Sequence, residues 1–235
     1  MDLPRRLLAE FLGTGLLVSI VVGSGIMATS LSNDVGLQLL LNAGATVAGL
    51  GVLIAVLGPV SGAHFNPLVT GVALVRREVR AREAAAYVVV QLVGAVVGVM
   101  LANVMFSLPA VEASTDYRGG TGVWIGEIVA TAGLLLAIGA LTRSGRGAWG
   151  AVVVPAWIGA AYLFTSSTSF ANPAVTIGRA FTDSFAGIAP ASVPAFIGFQ
   201  VVGAAVGAVL TELLYPRRGA RPEPLDLPAP IHAAG

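Results

Sequence analysis

The sequence predicts an all-α membrane protein: six transmembrane helices plus two re-entrant half-helices, arranged as an inverted three-span repeat. Three observations predict it. The 235 residues are 56% hydrophobic and only 11% charged, against about 25% charged in a soluble domain. Six segments are long and apolar enough to cross a bilayer, which takes about 20 residues. Two Asn-Pro pairs, Asn66-Pro67 and Asn172-Pro173, each follow a long apolar run and each open a run too short to cross.

The spans fall at about 7–29, 37–57, 84–106, 123–142, 148–167 and 192–214. Arg5 and Arg6 precede the first run as they would in a signal peptide. That run is too long and lacks a small-residue cleavage site, so it reads as a span. The two short segments, about 66–76 and 172–183, follow the second and fifth spans and have half the length needed to cross. Gly58, Pro59 and Gly62 are expected to break the chain before the first, and the run Thr165-Ser166-Ser167-Thr168-Ser169 precedes the second. In each, Asn suits the N-cap, where its side-chain oxygen takes a free backbone N–H, and Pro suits the first helical position.

All basic residues are arginine. With six crossings, Arg5, Arg6, Arg76, Arg77, Arg80, Arg82, Arg143, Arg146, Arg217, Arg218 and Arg221 share one side, and only Arg118 and Arg179 take the other. The positive-inside rule then puts both termini in the cytoplasm, in the cell's inner membrane. The short segments enter from opposite faces. A net charge of +1 implies no nucleic-acid partner. The absence of cysteine, with only His64 and His232 as histidines, implies no disulfide, no metal site and no cofactor.

The halves repeat. Gln91 to Leu101 matches Gln200 to Leu210 at seven of eleven positions, Glu10-x-x-x-Thr14 recurs as Glu127-x-x-x-Thr131, and the Asn-Pro segments recur in the same order. A repeat with an odd number of crossings must be inverted, its axis in the membrane plane. Gly94, Gly98, Gly203 and Gly207 have the small-xxx-small spacing that lets helices approach closely. Inversion brings the half-helices together N-terminus to N-terminus near the midplane, where their positive ends oppose cations, hydronium included. The carbonyls leading into each Asn form a ladder of acceptors, and the amides of Asn66 and Asn172 remain as donors. That suits neutral, hydrogen-bonding solutes.

The motifs Ala9-Glu10-Phe11-Leu12-Gly13-Thr14, Ser61-Gly62-Ala63-His64-Phe65-Asn66-Pro67 and Asn172-Pro173-Ala174, at these spacings, make the chain resemble the major intrinsic protein family of aquaporins and glycerol facilitators. The resemblance implies a channel domain over 1–215, with repeats of about 5–107 and 122–215; the Pro-rich composition of 216–235 predicts a disordered tail. The same resemblance implies a homotetramer in the lipid bilayer with one pore per subunit. By resemblance, Glu10 and Glu127 support the re-entrant loops, and His64 lines the cytoplasmic half of the pore.

The resemblance also implies four filter positions, which counting without gaps puts at Thr46, Ala160, Ser169 and Val175. The aromatic, histidine and arginine usual there are absent, and Leu68 replaces the alanine of the first Asn-Pro-Ala. Val175 stands where the arginine is expected, which predicts a wide, uncharged filter. Arg179, one helical turn on, is a charge for the outer mouth, a solvated loop arginine or one paired with Asp183. The expected function is a passive channel for small neutral solutes: metalloid hydroxides such as arsenite or methylarsenicals, glycerol-like solutes and water. An ordinary water channel and a secondary active transporter are the competing readings; an enzyme is not expected.

Overall fold

The structure is a computed structural model that describes residues 1–216. Eight α-helices follow in order: α1 Leu3–Leu31, α2 Val35–Ser61, α3 Pro67–Val75, α4 Ala81–Met105, α5 Thr121–Arg143, α6 Gly150–Phe164, α7 Pro173–Arg179 and α8 Val193–Leu214. Six are long and apolar enough to cross a membrane. The other two, α3 and α7, are the half-helices, of nine and seven residues. The second is shorter than the sequence suggested, because the chain leaves the helix at Ala180. Of the tail, only Pro216 is described; His232, Arg217, Arg218 and Arg221 lie outside the described residues.

The repeat appears in the packing. α1 lies along α4, and α5 lies along α8. Both crossings are made close by the four repeat glycines. A Cβ on Gly94 would stand 2.5 Å from the Phe11 carbonyl oxygen, and one on Gly203 would stand 2.6 Å from that of Ile128. Gly98 and Gly207 press in the same way on Gly15 and Ala132. Backbone cannot yield as a flexible side chain can, so these positions fix how near the helices come. The outward faces keep Val52, Val56, Leu101 and Val209 exposed, as expected where the solvent is hydrocarbon.

One expected break does not occur. α2 continues through Gly58 and Pro59 to Ser61. It ends one residue later, where Gly62 adopts the left-handed conformation (φ 90°) and its N–H bonds the Gly58 carbonyl at 2.9 Å. A left-handed glycine is a common helix stop.

Substituting Gly203→Ala should therefore cost about 1–3 kcal/mol through overpacking. Gly71→Ala in α3, where nothing lies within 4 Å of the added Cβ, should cost nothing. Thermal unfolding in detergent micelles checks this: a midpoint lowered for Gly203→Ala only is expected, and equal midpoints would contradict the close crossing.

Candidate functional site

The two Asn-Pro segments meet inside the bundle. Asn66 and Asn172 are extended N-caps (φ −153° and −158°) of α3 and α7. Asn66 Oδ1 accepts from the Leu68 N–H at 2.9 Å; Asn172 Oδ1 accepts from Ala174 at 2.9 Å and Val175 at 3.3 Å. Pro67 and Pro173 sit at the first helical positions. The amide nitrogens cross over. Asn66 Nδ2 donates to the Ala171 carbonyl and Asn172 Nδ2 to the Phe65 carbonyl, both at 2.8 Å. Each amide has two N–H groups: one holds the opposite loop, and one is left. Leu68, the altered motif residue, packs against the core and leaves the cap intact.

The loops leading in share one backbone pattern. Counted back from each Asn, the fourth, third and first residues before it have positive φ: Gly62, Ala63 and Phe65 in the first loop, Thr168, Ser169 and Ala171 in the second. Non-glycine residues hold that conformation at a cost of about 1–3 kcal/mol each, so something must hold them. Glu10 and Glu127, both fully buried, do this. Glu10 accepts from the N–H groups of His64 (2.9 Å) and Phe65 (2.7 Å), from Ser61 Oγ (2.6 Å) and from Gln91 Nε2 (2.8 Å). Glu127 accepts from the N–H groups of Phe170 (2.9 Å) and Ala171 (3.0 Å) and from Gln200 Nε2 (2.6 Å). Every partner is a donor, which suits an ionised carboxylate.

Sequence reading missed the next layer. Gln91 Nε2 also donates to Thr70 Oγ1 (3.0 Å), and Gln200 Nε2 to Thr176 Oγ1 (2.9 Å); each threonine hydroxyl donates to the carbonyl of its own Asn. The signal was present: both glutamines align in the repeat, and both threonines stand four residues after their Asn. His64 Nδ1 lies 3.0 Å from Thr70 Oγ1. With that hydroxyl's proton on the Asn66 carbonyl, Nδ1 carries the imidazole hydrogen and Nε2 is left as an acceptor.

A cavity of about 520 Å³ reaches from Arg76 and Thr142, past His64, Asn66 and Asn172, to Thr46, Ser169 and Val175. Ala160 does not line it and is exposed. α6 instead presents Val154, Ile158 and Tyr162 to the cavity, with Tyr162 only 3% exposed. The reason is helical phase. Ungapped counting crosses residues 165–169, where Thr168 and Ser169 coil left-handed in succession. A slip of two residues on a helix is about 200°, which puts Ala160 on the opposite face. The expectation that no aromatic stands near the filter is corrected with it. Arg179 is buried and unpaired with Asp183, which instead accepts from the N–H and hydroxyl of Thr115.

The model of the family described as Major intrinsic protein matches residues 1–168, ending before the second Asn-Pro pair. The chain is 48% identical over 220 residues to Aquaglyceroporin AqpS of Rhizobium meliloti (strain 1021), covering 92% of this chain and 93% of that protein. It is 28% identical over 242 residues to Aquaporin AqpM of Methanothermobacter marburgensis, covering 92% and 97%. The X-ray structure of the aquaglyceroporin from Plasmodium falciparum shares the fold, with a TM-score of 0.65 at 20% identity over 91% of this chain and 96% of that one.

The repeat makes the two glutamates equivalent. Glu10→Gln and Glu127→Gln each replace an accepting oxygen with an NH2 donor that faces buried donors, so each should lose about 2–4 kcal/mol of stability. Chemical unfolding in micelles measures both. A large loss for one and none for the other would contradict the equivalence.

Proposed function

We propose that this chain, which belongs to the major intrinsic protein family and is therefore a passive channel and not an enzyme, conducts small neutral hydroxylated solutes and water. The observation that carries this is the lining beyond the paired asparagines. Val175 and the Tyr162 ring give an apolar wall, while Thr46 and Ser169 give hydroxyls. A polyol presents carbon on one side and hydroxyl on the other, and such a passage accepts both. With Val175 in the arginine position no fixed charge or fork of donors stands there. Glycerol-like solutes fit, and so do undissociated metalloid hydroxides such as arsenite and its methylated forms, because arsenite at neutral pH is an uncharged triol. The relative that is 48% identical is named an aquaglyceroporin, which supports the glycerol and water part of this range.

In this reading Asn66, Asn172 and the motif residues around them form the pore centre, and Thr46, Ser169, Val175 and Tyr162 form the filter. His64 lines the pore, and Glu10 and Glu127 hold the loops. The arginine distribution supports cytoplasmic termini in the inner membrane, and resemblance supports a homotetramer. An ordinary water channel is the second reading. Tyr162 favours it, because a buried aromatic narrows the passage that Ala160 would have left wide.

Stopped-flow light scattering on proteoliposomes separates the two with water, glycerol, urea and arsenite as solutes. Passage of glycerol and arsenite as well as water is expected; water alone would leave the second reading. Val175→Arg should reduce glycerol flux several-fold and Tyr162→Ala should raise it. An unchanged profile in both would place the constriction elsewhere.

A further inference from the structure

The large cavity stops at Thr46, Ser169 and Val175. A second cavity, of about 180 Å³, starts one step away on each of the same elements: Asn42 is one turn back along α2, Thr168 one residue back in the loop, and Arg179 one turn on along α7. Arg118 lines it too. The narrow point of the pathway therefore lies between these two sets of residues, and Arg179 stands on its outer side.

Arg179 is built into this place. It is 3% exposed. Its guanidinium carbon lies 3.5 Å from the centroid of the Phe170 ring, and Nε donates to the Ala186 carbonyl. Nη1 has no hydrogen-bond partner. Among the described residues no carboxylate lies within salt-bridge distance of it. Asp183 is held by Thr115, and Asp116 pairs with Arg118 at 2.6 Å. Arg118 also donates from Nε to the Gly187 carbonyl (2.8 Å) and from Nη2 to the Phe185 carbonyl (3.2 Å). No carboxylate pairs with Arg179 directly, so its positive charge stands beside the cavity with only more distant carboxylates, Asp116 and Glu127 among them, to offset it. Burying such a charge is costly, and stacking on an aromatic face offsets only part of that.

We infer that Arg179 is a specificity-determining residue of this channel, a filter cation displaced one helical turn outward from Val175. Its charge repels cations at the constriction, where Val175 supplies no charge. Its Nη1 is buried as well as unpartnered, so the guanidinium acts on the passage through its field and not through direct contact. The field of a fixed charge reaches several ångströms in a narrow passage with low-dielectric walls, where counterions cannot gather to screen it. The inference rests on the channel reading above.

The test uses the full chain in proteoliposomes, with a pH dye inside to follow protons, a sodium dye, and glycerol flux on the same vesicles. Arg179→Gln should raise proton and sodium leak by about tenfold or more, the factor expected for one charge at a few ångströms in a partly aqueous site. Arg179→Lys, which keeps the charge, should restore exclusion. Thr168→Asp, which sets a carboxylate in the outer cavity and leaves the arginine stack in place, should raise the leak as well. A leak in Arg179→Gln vesicles no higher than wild type, in protein that still passes glycerol, overturns the inference. So does a lysine variant as leaky as the glutamine one. If Arg179→Gln does not reach the vesicles, Thr168→Asp decides alone, and an unchanged leak overturns it. Wild-type vesicles that pass no neutral solute would instead sink the channel reading itself.

Discussion

Two hydrogen bonds tie the halves of this protein together at its centre, Asn66 to the Ala171 carbonyl and Asn172 to the Phe65 carbonyl. Much of the rest depends on them. Each asparagine must cap its own half-helix with oxygen and hold the opposite loop with nitrogen. Aspartate lacks the donor, and serine has a single short hydroxyl for both tasks. A carboxamide on a short stem meets both demands, so the same residue appears in both copies. Since the bonds run both ways, neither loop can shift without breaking its partner's support.

The loops these bonds join are costly. Positive φ recurs at Ala63, Phe65, Thr168, Ser169 and Ala171, and irregular backbone inside a bilayer must find every partner within the protein. Glu10 and Glu127 offset that cost by gathering N–H groups that would otherwise be orphaned. They are held in turn by Gln91 and Gln200, which also bond the threonines at the start of each half-helix. A rigid, inverted frame results, and the close glycine crossings of α1 with α4 and of α5 with α8 leave it little room to move.

Much of this was legible in the residues. Hydropathy located six spans, the Asn-Pro pairs located both half-helices, and the repeat fixed their inverted relation. What escaped depends on phase and on competition for partners. Ala160 was read by counting through a loop whose left-handed residues take up chain, and the error turned α6 by half a revolution and hid Tyr162. Gly58-Pro59 read as a break, yet α2 runs through it, because the stop is set by the left-handed Gly62. The asparagine amides read as donors, but nothing in one copy of the repeat shows which carbonyl of the other each will meet. Arg179 offered several readings from spacing alone; its burial excludes a solvated loop residue, and Asp183 bonds Thr115 instead of Arg179.

In the channel reading proposed above, a fixed, symmetric double loop provides the pathway, with no alternating state. Initial glycerol flux into proteoliposomes, measured against external glycerol with and without proton and sodium gradients, tests this most directly. The frame described here predicts flux that rises linearly with concentration and ignores both gradients. Flux that saturates and follows an imposed ion gradient would contradict it and point to a transporter that rocks between states.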